Sequence, residues 1–169
     1  RVKMYNDLTY TSTKGMNEYD ILVRTDLLDD EDIPTILWIH GGAFVAGDKD
    51  DVTDYMYVLA DNGYAIVNMN YGLGFEYTFP TPLVQIGEMY KELEKNQDLY
   101  PFLDLDNLII GGDSAGAFLA AQFIINNTNM EYSKLSGVAP VMDKSQIKGA
   151  LLFCGPYDVS KLSNNSDRF

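Results

Sequence analysis

The spacing of apolar residues changes several times along the chain, from unbroken runs to helical periods and back. Residues 2–11 alternate loosely, and Tyr19-Asp20-Ile21-Leu22-Val23-Arg24 forms a second extended run. With the polar break Lys14-Gly15-Met16-Asn17 between them, these predict an antiparallel pair at a sheet edge. Residues 34–39 are apolar without alternation, as in a strand covered on both faces, and end abruptly in His40-Gly41-Gly42-Ala43. Apolar residues at 52, 55, 56, 59 and 60 keep helical spacing up to the stop at Gly63. Residues 64–69 predict another buried strand, and 70–80 a connection rich in glycine and aromatics. Pro82 suits the first position of a helix whose inner face carries Leu83, Ile86, Tyr90 and Leu93. Residues 108–111 predict a strand and 115–127 a helix, with Ala117, Ala120 and Ala121 small enough for close approach to a sheet. Residues 126–146 read as a polar, irregular surface excursion. Residues 148–153 form one more apolar strand, closed by Cys154-Gly155-Pro156, and 160–169 carry no strong pattern.

Strands alternating with helices predict an α/β fold, a mostly parallel sheet flanked by helices, with the antiparallel pair at its start. The whole of 1–169 reads as a single domain. Chemistry in such a sheet lies at the carboxyl ends of its strands. Both glycine-rich turns, at 40–43 and 111–116, fall at such ends.

The second turn, Gly112-Asp113-Ser114-Ala115-Gly116, fits G-x-S-x-G, the sharp strand-to-helix elbow that lifts a serine hydroxyl out of the backbone. Glycines are needed at 112 and 116 because a side chain there would strike the neighbouring strand and helix. A plain strand-to-helix turn is the competing reading, and the apolar run before Ser114 with a helix after it favours the elbow. Acyl transfer also needs donors aimed at the developing oxyanion, each typically worth ~2.7–4 kcal/mol in the transition state. Backbone N–H groups of the 40–43 turn and of Ala115 suit that task.

Composition narrows the partners. A net charge of −13 excludes a basic footprint for nucleic acid. The acidic runs 29–32 and 48–54 read as solvated loops, and the second departs from a calcium-binding loop at its third ligand. Gly72-Leu73-Gly74 is no dinucleotide fingerprint, because residue 77 is Tyr. A single cysteine, Cys154, excludes an internal disulfide and any cysteine-based zinc site. No metal or cofactor is expected. No apolar run approaches a membrane span and no signal-type segment is visible, which favours a cytoplasmic location. Because the sequence starts at Arg1, a removed leader or anchor stays open.

The turn and the elbow together resemble the α/β-hydrolase fold, specifically carboxylesterases and lipases of the hormone-sensitive-lipase type, whose hallmarks are an H-G-G-G-like turn and a G-D-S-A-G elbow. Phe44-Val45-Ala46-Gly47-Asp48, Asn70-Tyr71 and Phe79-Pro80 extend the likeness over roughly residues 18–158. The resemblance implies Ser114 as nucleophile, with Gly42, Ala43 and Ala115 as oxyanion donors and Gly41 their close neighbour. His40 and Asp113 would support the motif, His40 orienting the turn rather than acting as base. Three departures stand out. Ala43 replaces the third glycine, Gly72 follows Tyr71 where arginine is common, and Val84 and Gln85 occupy the region of a usual aspartate.

The family orders its triad as serine, acid, histidine. The only histidine here, His40, precedes Ser114, so the chain alone does not complete the triad. Asp158 has two readings, triad acid or a turn residue after Pro156. With one strand after the elbow helix, the chain reads as the N-terminal part of a hydrolase. Its uncovered sheet edge should then associate with a C-terminal piece or a second copy. The expected function is a serine carboxylesterase acting on small acyl or acetyl esters. The alternative is a non-catalytic hydrolase-fold binding module, and a peptidase would use the same machinery. Tyr71, Phe75, Tyr77 and Phe79 read either as an aromatic wall near the site or as packing. The sequons at 126–128 and 164–166 matter only in a secreted protein.

Overall fold

A computed structural model describes residues 1–158 of the chain. Among these, six strands form one sheet in the order β1-β2-β4-β3-β5-β6. The strands are β1 (Val2–Thr9), β2 (Glu18–Arg24), β3 (Ile33–Ile39), β4 (Ala65–Met69), β5 (Leu103–Asp113) and β6 (Ile147–Phe153). β1 and β2 are antiparallel, and β2 is antiparallel to β4. β4, β3, β5 and β6 run parallel. The predicted edge pair and parallel body are therefore both present.

Two apolar layers hold the sheet. Helix α1 (Thr53–Asp61) buries Met56 and Ala60 on one face against Leu22, Ile36, Trp38 and Ile66. Helices α2 (Thr81–Lys95) and α3 (Ala115–Thr128) cover the other, where Leu83, Ile86, Leu93, Leu119 and Phe123 meet Ile21, Leu37, Val67 and Ile110. β3 and β4 lie between the layers and are buried nearly throughout, which is why their sequence shows no alternation. β5 begins at Leu103, earlier than its apolar run suggests, because Leu103 and Asp104 pair with Ile33 and Pro34 before a register shift.

Two expectations are overturned. Residues 126–146 are not irregular throughout: they contain helix α4 (Met130–Ser136), capped by the Asn129 side chain and ended by Gly137 in the left-handed region. Short length and mixed polarity hide it in the sequence. Two buried asparagines moor this excursion. Asn127 Oδ1 accepts from the N–H of Val141 and Met142, and Asn126 binds both Ser136 Oγ and the Val138 carbonyl. Asn126 is thus a buried fastening, not an accessible glycan acceptor. The second sequon lies outside the described residues.

The acidic run 48–54 is also only partly a solvated loop. Lys49 within it is buried and reaches Asp20, Asp7 and Asp50 at 3.1, 2.9 and 3.0 Å. Asp48 caps the following turn of 3-10 helix and accepts from Asn70 Nδ2. The fully buried Asp20 requires a cation, and Lys49 supplies it. Residues 29–32, in contrast, are exposed as expected.

Candidate active site

Ser114 occupies the junction of β5 and α3 with φ 50° and ψ −117°, a conformation that non-glycine residues rarely adopt. Two backbone hydrogen bonds maintain it. The Ser114 N–H donates to the Phe153 carbonyl of β6 at 2.7 Å, and its carbonyl accepts from Phe118 at 3.2 Å. Around it, the backbones pack too tightly for side chains. A Cβ on Gly112 would lie 2.5 Å from the Ile39 carbonyl oxygen, and one on Gly116 2.0 Å from the same atom. The side chain of Ser114 itself is exposed.

The turn after β3 lies directly against this elbow. A Cβ on Gly41 would sit 3.2 Å from Ser114 Cβ and 2.4 Å from Asp113 Oδ2. Asp113 Oδ1 accepts the Gly41 N–H at 3.1 Å and Trp38 Nε1 at 3.3 Å, so the residue before the serine fastens both the turn and its supporting strand. That bond also commits the Gly41 N–H. The N–H groups of Gly42, Ala43 and Ala115 meet no acceptor among the described residues. Gly42 has φ +123° because the chain doubles back there, with Val45 and Ala46 both donating to its carbonyl. Ala43 and Phe44 follow at φ 54° and 67°, so the alanine in place of a third glycine sits in a strained region.

His40 is buried under the turn. Its Nδ1 lies 2.6 Å from the Gly41 carbonyl oxygen, which only accepts, so Nδ1 carries the proton. Its ring stacks on Tyr71 at 4.5 Å, and the Tyr71 hydroxyl donates to the His40 carbonyl. Burial holds the imidazole below its ordinary pKa and therefore neutral, and no hydrogen bond joins it to Ser114. Burial likewise raises the Tyr71 hydroxyl, which stays protonated as a donor.

A largely apolar cavity of about 610 Å³ is walled by Phe44, Tyr77, Phe79, Phe118, Tyr132 and Tyr157, Phe44 following the 40–43 turn and Phe118 standing one helical turn beyond Ser114. Of the four aromatics singled out in the 70–80 connection, Tyr77 and Phe79 line it. Tyr71 packs beneath His40, and Phe75 projects into solvent at 99% exposure. Phe118, Tyr132 and Tyr157 carried no signal in the sequence, because only the fold brings α3, α4 and the segment after β6 to one place. The departures at Gly72 and Gln85 compensate each other. The Tyr77 ring packs over Gly72, leaving 2.6 Å for any Cβ, and Gln85 Oε1 accepts the Gly72 N–H while its amide donates to the Gly15 carbonyl. Asp158 lies at the limit of the described residues, exposed after Pro156.

Residues 20–168 match the family described as BD-FAE. The chain is 36% identical to Lipase 2 of Moraxella sp. (strain TA144) over 92 residues, covering 53% of this chain and 21% of that protein. It is 28% identical to human dipeptidyl peptidase 8 over 146 residues, covering 79% of this chain and 16% of that one. Among solved structures, Esterase B from Lactobacillus Rhamnosis superposes with a TM-score of 0.85 at 26% identity, covering 96% of this chain and 51% of that chain. The same esterase inhibited by a C4-C4 SN3 tributyrin phosphonate gives a TM-score of 0.82 at 27% identity over 95% and 51%. The chain thus spans about half the length of the solved esterase and a smaller part of the curated relatives.

Proposed function

The chain belongs to the BD-FAE family of α/β-hydrolases, and from that membership we propose that it carries the nucleophile and oxyanion hole of a serine carboxylesterase. One observation supports this above the others. Ser114 projects from a strained elbow, and three uncommitted N–H groups, those of Gly42, Ala43 and Ala115, belong to the two turns that meet there.

In the reaction, Ser114 Oγ attacks the carbonyl carbon of the ester while a base removes the hydroxyl proton. Negative charge moves onto the carbonyl oxygen, where the three N–H groups receive it without reorganising. The C–O bond then breaks, the alcohol leaves with the proton, and the acyl group remains on Ser114. Water, activated by the same base, hydrolyses this acyl-enzyme and regenerates the serine. His40 is not that base. Its Nε2 is buried and meets no partner among the described residues, Ser114 included, while its Nδ1 proton binds the Gly41 carbonyl and holds the turn from below. Since a second histidine does not occur in this sequence, a histidine base would have to come from residues outside it, and Asp158 stays open as the acid. The phosphonate-inhibited Esterase B makes a small ester the fitting substrate class.

The test uses the complete gene product with a fluorophosphonate and a p-nitrophenyl ester. The wild-type protein should gain one adduct and turn over the ester. Ser114→Ala should lose the adduct and more than about a thousandfold of the activity. Absence of both in the wild-type protein, with ester binding retained, would instead favour a binding module, the reading suggested by His40 being engaged away from Ser114.

A further inference from the structure

Resting on the oxyanion hole proposed above, we infer that Asn70 is a positioning residue for it, holding the far end of the turn that carries Gly42 and Ala43. That turn needs holding at both ends. Gly42, Ala43 and Phe44 follow one another at φ 123°, 54° and 67°. Consecutive residues in that region, two of them not glycine, persist only where their surroundings over-determine them. The near end is fixed by Asp113, which accepts the Gly41 N–H, and by the Tyr71 hydroxyl, which donates to the His40 carbonyl. At the far end Asn70, the residue before Tyr71, uses both polar atoms of its side chain. Its Oδ1 accepts the Lys49 N–H at 2.6 Å, and its Nδ2 donates to Asp48 Oδ2 at 3.0 Å.

Asn70 is itself tied down. It is 3% exposed, its N–H donates to the Glu18 carbonyl at 2.9 Å, and its carbonyl accepts from the Tyr10 hydroxyl at 2.9 Å. Two positions earlier, on the same face of the strand, Asn68 Nδ2 donates to the Lys49 carbonyl at 2.7 Å. The two asparagines thus bind the N–H and the carbonyl of one residue, as a neighbouring strand would. From there the hold passes back along the turn. Gly47 seats against the near end, where a Cβ would lie 2.4 Å from the Gly41 carbonyl oxygen and 2.8 Å from His40 Nδ1. Val45 and Ala46 donate to the Gly42 carbonyl at 3.1 and 2.9 Å. Releasing residues 48 and 49 therefore loosens the closure that presents the Gly42 and Ala43 N–H groups. None of these bonds reaches Ser114, so Asn70 acts through the backbone of the turn.

The experiment measures kcat and KM of the complete gene product on a p-nitrophenyl ester, with each kcat divided by the fraction of Ser114 that a fluorophosphonate labels at completion. Asn70→Ala should lower kcat per labelled serine by about ten- to a hundredfold and leave KM within about twofold, because displaced donors lose the transition state rather than the substrate. A residue that only supports folding would lower the labelled fraction and the melting temperature, with kcat per labelled serine unchanged. Asn70→Asp keeps the acceptor for Lys49 but sets a carboxylate against Asp48, and should lose activity likewise. Adding Asp48→Asn returns a donor between the two side chains and should restore kcat to within about threefold of wild type. Should Asn70→Ala not fold, Asp48→Ala, which frees one of the two bonds from a half-buried position, carries the test with an expected loss of about fivefold. Wild-type kcat per labelled serine in the folded variant overturns the inference, as does a double substitution that restores nothing. A wild-type protein that takes no adduct and hydrolyses no ester removes the oxyanion-hole reading beneath it instead.

Discussion

Asp113 Oδ1 accepts the backbone N–H of Gly41 at 3.1 Å, so the residue preceding the proposed nucleophile fixes the turn that would stabilise its transition state. The two are 72 positions apart in sequence: Asp113 ends β5, and Gly41 follows the end of its parallel neighbour β3. The same oxygen accepts Trp38 Nε1, so Asp113 ties elbow, turn and β3 together.

Asp113→Asn retains an acceptor oxygen at this point and should keep kcat/KM within about threefold. Asp113→Ala leaves the Gly41 N–H and Trp38 Nε1 without their partner, a loss of about 1–3 kcal/mol. Ester hydrolysis should fall by about ten- to a hundredfold, mainly in kcat, with the circular dichroism spectrum unchanged.

The turn itself separates two neighbouring residues. A Cβ on Gly42 would stand 1.9 Å from the Ala46 carbonyl oxygen at φ +123°, so Gly42→Ala should abolish hydrolysis and lower the melting temperature. Ala43 already bears the strain of φ 54°. Ala43→Gly relieves it at some cost in unfolded-chain entropy, and should raise stability by about 0.5–1 kcal/mol in urea titration with activity preserved.

Lys49→Met should be among the most damaging changes away from the site. Although burial opposes its charge, the carboxylates of Asp7, Asp50 and Asp20 hold Lys49 well above its ordinary pKa. Its removal strands the fully buried Asp20 without a cation, a loss of about 3–5 kcal/mol in the urea unfolding free energy.

Stability should also depend on His40. Burial holds its folded-state pKa below the ordinary imidazole value of about 6.5. The unfolded chain therefore binds the proton first, and stability falls as pH drops through about 6.5 towards the folded pKa, then levels off. His40→Gln should be less stable at neutral pH but show a flatter dependence between pH 7 and 5. An unchanged slope in urea midpoints across that range would show that His40 does not titrate on unfolding.

Much of the architecture was legible without coordinates. The unbroken apolar runs of β3 and β4, the helical spacing of α2 and the glycines around Ser114 determine strands, helix and elbow, because burial on two faces, burial on one face and a sharp turn each leave a distinct local pattern. The sequence also limits what His40 can do, since the only histidine precedes the serine. Tertiary structure alone decided the rest. Whether the acidic run at 48 is solvated depends on Asp20, which arrives on another strand to bury Lys49. Whether 126–146 is ordered depends on Asn126 and Asn127, whose bonds are made across the chain fold. The apolar cavity joins residues from the turn after β3, the 70–80 connection, α3, α4 and the segment after β6. Periodicity records which face of an element is buried, but not which distant residue covers it. Charge pairing and cavity shape are properties of that second relation.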